Sequence, residues 1–113
     1  MDVVLMEKAP ELVRMVAEAV KNYGVDGVTM DPFYSVTGAF CDSYYTRLYS
    51  DLEDEINAVI DFATEWDIDP SEWELDTPEN RYKFAVQYLA IDFDDPEEGT
   101  ESYCDSIINS LAA

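Results

Sequence analysis

Carboxylates are the main groups in this sequence that could do chemistry: 26 Asp and Glu stand against 6 Lys and Arg, with no His. A pair of carboxylates can run glycoside hydrolysis, one as acid and the other as base or nucleophile. With so many acids some pair lies close by chance, and 113 residues leave little room for a substrate cleft. Asp-x-Asp also opens EF-hand calcium loops, and Asp67-Ile68-Asp69-Pro70-Ser71 begins that way. It then departs from the pattern: Glu72 stands where Gly is needed and Pro78 where a bidentate Glu is needed. Asp92, Asp94, Asp95, Glu97 and Glu98 form a further acidic run that reads as a solvated loop. The lack of His removes the commonest general base and zinc ligand, and with it Ser-His and zinc-hydrolase constellations. No P-loop or G-x-G-x-x-G stretch is present. Cys41 and Cys104 lack C-x-x-C spacing and read as small buried apolar residues in a reducing compartment; a disulfide between them stays open. The expectation is a protein with no catalytic residue, metal or cofactor, and not an enzyme.

The elements that position the acids come next, and the densest is Ser50 to Asp69. Ser50 with Glu53 makes a capping box, and acids in a first turn suit the positive end of a helix dipole. Leu52, Ile56, Val59, Ile60, Ala63 and Trp66 recur at three- and four-residue steps and predict one buried stripe. Asp51, Asp54, Glu55, Asp61 and Glu65 are left on the solvated side. A 20-residue helix is about 30 Å long, so its eight carboxylates (those five with Glu53, Asp67 and Asp69) fall about 4 Å apart along the axis. One DNA strand carries a phosphate every ~3.4 Å. The two linear charge densities are similar.

Other helices are predicted on either side. Asp2 caps a first turn, and Pro10 marks a kink or a fresh start. Leu12, Val13, Val16, Ala17, Val20 and Tyr23 form the inward stripe of a helix stopped by Gly24. Lys8, Arg14 and Lys21 put half of the positive charge here, which places this region on the back of the molecule, away from the acidic face. Residues 24–32 are turn-rich, with a short extended piece over Val28 to Met30. A helix is predicted over Ala39 to Tyr49, with a small β-hairpin near residues 27–40 as the alternative. Beyond a turn carrying Trp73, Thr77-Pro78-Glu79 supplies an N-cap, a first-turn proline and a first-turn acid. The helix that follows is apolar on two sides, Tyr82, Val86, Leu89 and Phe93 on one and Phe84, Tyr88 and Ile91 on the other. Such a helix is expected to be the central one, sandwiched between others. Thr100 opens a last helix with Tyr103, Cys104, Ile107, Ile108 and Leu111 as its stripe. The fold expected is mainly α: one domain over residues 1–113, a compact bundle of about four to five helices, with room for the small hairpin.

Composition bounds the partners. An apolar fraction of 48% with 2 Trp, 8 Tyr and 5 Phe indicates a packed core rather than a disordered acidic chain. A net charge of -20 is well beyond the magnitude of about 2 to 8 that keeps a small domain soluble. It repels DNA, RNA and anionic membranes and favours a basic partner. The acids cluster as well: no Lys or Arg occurs from Leu48 to Asn80 or after Lys83. The plainer alternative is the solvated face of an ordinary or salt-adapted protein; against it, a uniformly tuned surface would intersperse the signs more evenly. No signal peptide or membrane span is recognisable, which makes the expected location cytoplasmic.

A small, acidic, aromatic-rich helical chain of this kind resembles the phage and mobile-element inhibitors that mimic DNA, namely antirestriction proteins and acidic anti-CRISPR proteins. The resemblance covers the whole chain and is one of charge, size and helical pattern. It implies an inhibitor that occupies the Lys/Arg-lined channel of a restriction enzyme, a CRISPR effector or another nuclease, with carboxylates replacing phosphates. In that role Asp54, Glu55, Asp61, Glu65, Asp67, Asp69, Glu72 and Glu74 would be the phosphate substitutes. Asp94, Asp95, Glu97 and Glu98 would form a second row, and Tyr45, Tyr49 and Trp73 would be apolar anchors. The alternative is an acidic interaction module, an adaptor, immunity protein or regulator that binds a basic partner without mimicry. The Tyr-rich segment also allows a homodimer.

Overall fold

The computed structural model describes residues 1–37, 42–66, 69, 72–94 and 99–112, the side chains of Phe33, Thr37 and residues 42–48 excepted. The helices are α1 (Val3–Lys8), α2 (Pro10–Met30), α3 (Pro32–Thr37), α4 (Asp42–Trp66), α5 (Pro78–Ile91) and α6 (Thr100–Ala112). The mainly helical expectation holds. No strand occurs among the described residues, and the hairpin near residues 27–40 is corrected: residues 27–30 and 32–37 are helical. The reason is local. Asp31 and Pro32 act as a helix start, the Asp31 carboxylate accepting the Tyr34 N–H at 3.1 Å. Val28, expected in a short extended piece, is instead a fully buried helical residue.

Helix starts follow their capping chemistry. The Asp2 carboxylate accepts the Val4 N–H at 2.8 Å, and the Thr77 hydroxyl accepts the Asn80 N–H at 3.2 Å. Pro10 opens α2 at a first-turn position, where its missing N–H costs nothing. Gly24 ends the regular part of α2 at φ 79 and ψ 165, but residues 25–30 resume helix at once. It is a kink within α2 rather than a stop. Ser50 does not open a helix: α4 runs through it from Asp42 to Trp66. From residue 42 on, the predicted helix over Ala39 to Tyr49 and the acidic helix are thus one rod, residues 39–41 lying outside the described residues, and a capping-box pattern inside it has no free N–H groups to satisfy. At 25 residues it is about 37 Å long, as long as the molecule's greatest extent of 36 Å.

The central helix is α2, not α5. It touches each of the other five helices. Leu12, Val13, Val16, Ala17, Ala19 and Val20 are all buried, a wider apolar arc than one stripe, and the small Ala17 and Ala19 let neighbours approach. Tyr23, expected inside, is 48% exposed and faces Tyr34 with ring centroids 6.2 Å apart. From α4, Leu52, Ile56, Val59, Ile60 and Ala63 enter the core as predicted, while Trp66 does not and is 68% exposed. From α5, Tyr82, Val86 and Leu89 are buried, as is Phe93 just beyond it. The Tyr82 hydroxyl donates to the Pro32 carbonyl at 3.2 Å, which satisfies a polar group in the core. Cys104 and Ile107 bring α6 onto α2. No described helix is long and apolar enough to cross a membrane.

Candidate functional site

The acids of α4 divide by helical phase. Asp54, Asp61 and Glu65 follow one another after seven and four residues, rising about 10.5 and 6 Å along one strip. All three are exposed, and they line a groove of about 400 Å³ together with Val4, Lys8 and Trp66. Glu55 points another way. It is half-buried, and its Oε1 accepts the Leu12 N–H at 2.9 Å. Leu12 is the third residue of α2, whose N-cap position is held by Ala9, a side chain with no acceptor. A carboxylate from α4 therefore caps α2 across the core, the favourable placement for a negative charge at a helix N-terminus.

Two further acids cluster with Trp73. Glu72 and Glu74 are exposed and flank it, in a groove of about 340 Å³ that also includes Lys83, Phe84 and Gln87. Trp73 stands edge-on to Phe84, ring centroids 4.9 Å apart, and keeps 45% of its surface in solvent. The segment is held by Arg81, which donates to the Leu75 carbonyl at 3.3 Å and to Asn57 Oδ1 on α4 at 2.6 Å. Asp69 and Asp94 are exposed. Tyr49 is half-buried and packs on the core. Asp67, Asp95, Glu97 and Glu98 lie outside the described residues, as does the side chain of Tyr45. Of the expected site, the structure thus brings together Asp54, Asp61 and Glu65 in one groove and Glu72, Trp73 and Glu74 in another.

The cations are placed differently from expectation. Arg14 pairs with Glu11 and, at 3.0 Å, with Glu18, and Lys21 pairs with Asp105 of α6. Lys8, however, is not on the back of the molecule: it lines the groove of Asp54, Asp61 and Glu65. The short α1 packs against α4 as well as α2, which carries Lys8 to that face.

Four residues that sequence reasoning left out of the site join these grooves. Trp66, Ile91, Val4 and Tyr88 line two further troughs, one of about 560 Å³ with Trp73, Phe84 and Gln87, the other of about 500 Å³ with Met1, Asp2 and Phe62. The four grooves share lining residues in sequence: Trp73, Phe84 and Gln87, then Tyr88 and Asp92, then Val4, Phe62 and Trp66. They make one aromatic belt edged with acids. Trp66 carried a signal of its own, since a large apolar residue in the last turn of a helix can overhang the core.

Among the described residues, no group of three or more Cys, Asp or Glu is arranged to hold a metal ion. Cys104 is a buried free thiol, and burial pushes its pKa up to about 11. Cys41 lies outside the described residues. The chain matches no protein-family model, no curated protein and no solved structure.

Proposed function

We propose that this chain is a non-catalytic inhibitor that occupies the basic nucleic-acid channel of a nuclease, a restriction enzyme or a CRISPR effector. The observation that supports it most is the strip of Asp54, Asp61 and Glu65, exposed along one side of a helix packed into the core. Carboxylates at fixed rises on a stiff rod meet a Lys/Arg channel with little ordering cost, and opposite net charges steer fast, salt-sensitive association. Glu72 and Glu74 extend the acidic surface, and Trp73 beside them supplies apolar area. Glu55 contributes charge from within the fold.

The test is retention of proteins from a bacterial lysate on the immobilised chain, followed by elution with duplex DNA. A nuclease or restriction enzyme released by the duplex, and not retained by the Asp61→Lys/Glu65→Lys variant, is the expected result. Retention of the same enzyme by that variant, folded by circular dichroism, would sink the idea.

A second reading is favoured by the aromatic belt: an acidic adaptor or regulator that grips a basic protein without imitating nucleic acid. Exposed tryptophans framed by carboxylates are an ordinary makeup for a protein-binding patch. A partner that stays bound when duplex DNA is added selects this reading.

A further inference from the structure

The second apolar face of α5 was expected to lie under another helix, and it does not. Phe84 is covered by Trp73, Tyr88 is half-buried, and Ile91 is 61% exposed. Phe84, Tyr88 and Ile91 are spaced at four and three residues, so they form one row along the helix and the floor of the trough of about 560 Å³. The ring centroids of Trp73, Phe84 and Tyr88 are 4.9 and 5.9 Å apart in succession. That spacing is close to the ~5.4 Å pitch of an α-helix and shorter than the ~6.6 Å two-residue step of a strand. The rim is charged. Asp92 lines the trough itself. Glu72 and Glu74, with Lys83, line the groove that adjoins it through Trp73 and Phe84, and Asp2 lines the trough that adjoins it through Tyr88 and Asp92.

We propose that this trough is a docking site for an amphipathic helix of a basic partner protein. Its apolar residues, at i, i+3 or i+4, and i+7, would lie along Trp73, Tyr88 and Ile91, with Phe84 supporting Trp73 from beneath. Its Lys and Arg would meet the carboxylate rim. The match is one of helix pitch to ring spacing and of charge sign to rim, the helix-in-groove mode of recognition. It depends on α5 and Trp73, and it holds whether or not the α4 strip replaces phosphates.

The test is calorimetric titration with a synthetic peptide of about 18 residues, five helical turns, with Leu in the helical stripe and Lys elsewhere. A control peptide has the same composition with its Leu scattered. The patterned peptide is expected to bind at least about tenfold more tightly. Ile91→Asp, at an exposed position, is expected to abolish that preference, whereas Asp61→Lys/Glu65→Lys weakens both peptides alike. Equal binding of the two peptides overturns the proposal, and so does an unchanged preference in Ile91→Asp. Trp73→Ser repeats the reading should Ile91→Asp fail to fold. Loss of the preference only in the α4 variant would also overturn it, by placing the apolar contact elsewhere.

Discussion

Single side chains explain why an acidic face can exist on so small a core. Glu55 belongs by sequence to the acidic series, and only the structure separates it, because its partner Leu12 is 43 residues away. Glu55→Ala leaves the Leu12 N–H without its acceptor and is expected to lower stability by about 1 kcal/mol. Relief of repulsion among neighbouring acids returns only a few tenths. Chemical denaturation followed by circular dichroism measures the difference; a variant as stable as the parent would show that Glu55 is merely another surface charge. Cys104 sets a pH limit. Its folded-state pKa of about 11 lies above its ordinary value of 9.0, so the folded chain holds that proton more tightly than the unfolded one. Stability is therefore expected to be insensitive to this group below pH 9 and to fall between pH 9 and 11. Lys21, raised by its hydrogen bond to Asp105, is lost in the same direction at higher pH. Cys104→Ala should flatten the first part of the decline in a series of denaturation midpoints against pH.

At the level of elements, what was legible in the sequence is what depends on near neighbours in the chain. Asp2, Thr77 and Pro78 announced helix starts, and the stripe Leu52, Ile56, Val59, Ile60 and Ala63 announced a buried face, because capping and periodicity act within a few residues. Ser50 misled for the same reason: a capping box reports helix compatibility, and it cannot say whether residues 42–49 before it are already helical. The rank of the helices was not legible. Two apolar faces on α5 suggested the centre, yet α2 holds it with small residues, and the second face of α5 is covered at Phe84 by Trp73 but stays open at Ile91. Gly24 is a test at this scale. A Cβ there meets nothing within 4 Å, so the cost of substitution is purely conformational. At φ 79 and ψ 165 the backbone lies in a region that essentially only glycine occupies. Gly24→Ala is expected to cost about 1 to 3 kcal/mol, and Gly24→Asn, which rescues ordinary left-handed positions, should fare no better. A mild Gly24→Ala would mean that the two parts of α2 can meet in another way.

For the molecule as a whole, charge and size set the terms. With extents of 36 × 32 × 26 Å and a net charge of -20, every acid lies within reach of most others when salt is scarce. At about 0.01 M salt the screening length is roughly 30 Å, comparable to the protein; at about 0.15 M it is roughly 8 Å, and only neighbours repel. The melting temperature is expected to rise by several degrees between those conditions, as a gain of about 1 kcal/mol would bring in a domain of this size. A melting temperature indifferent to salt would mean that the charges are already compensated locally, as Arg14 and Lys21 do for Glu11, Glu18 and Asp105. The placement of the two tryptophans has a last consequence, for what light can report. Neither is in the core: Trp66 is 68% exposed and Trp73 45%, while among the described residues the largest fully buried ring is Tyr82. Unfolding will therefore be muted in the indole emission and must be followed through tyrosine or the helix signal. An occupant of the belt, by contrast, will shift that emission to the blue and shield it from quenchers, so the same two residues make the protein dim to its own folding and responsive to its ligand.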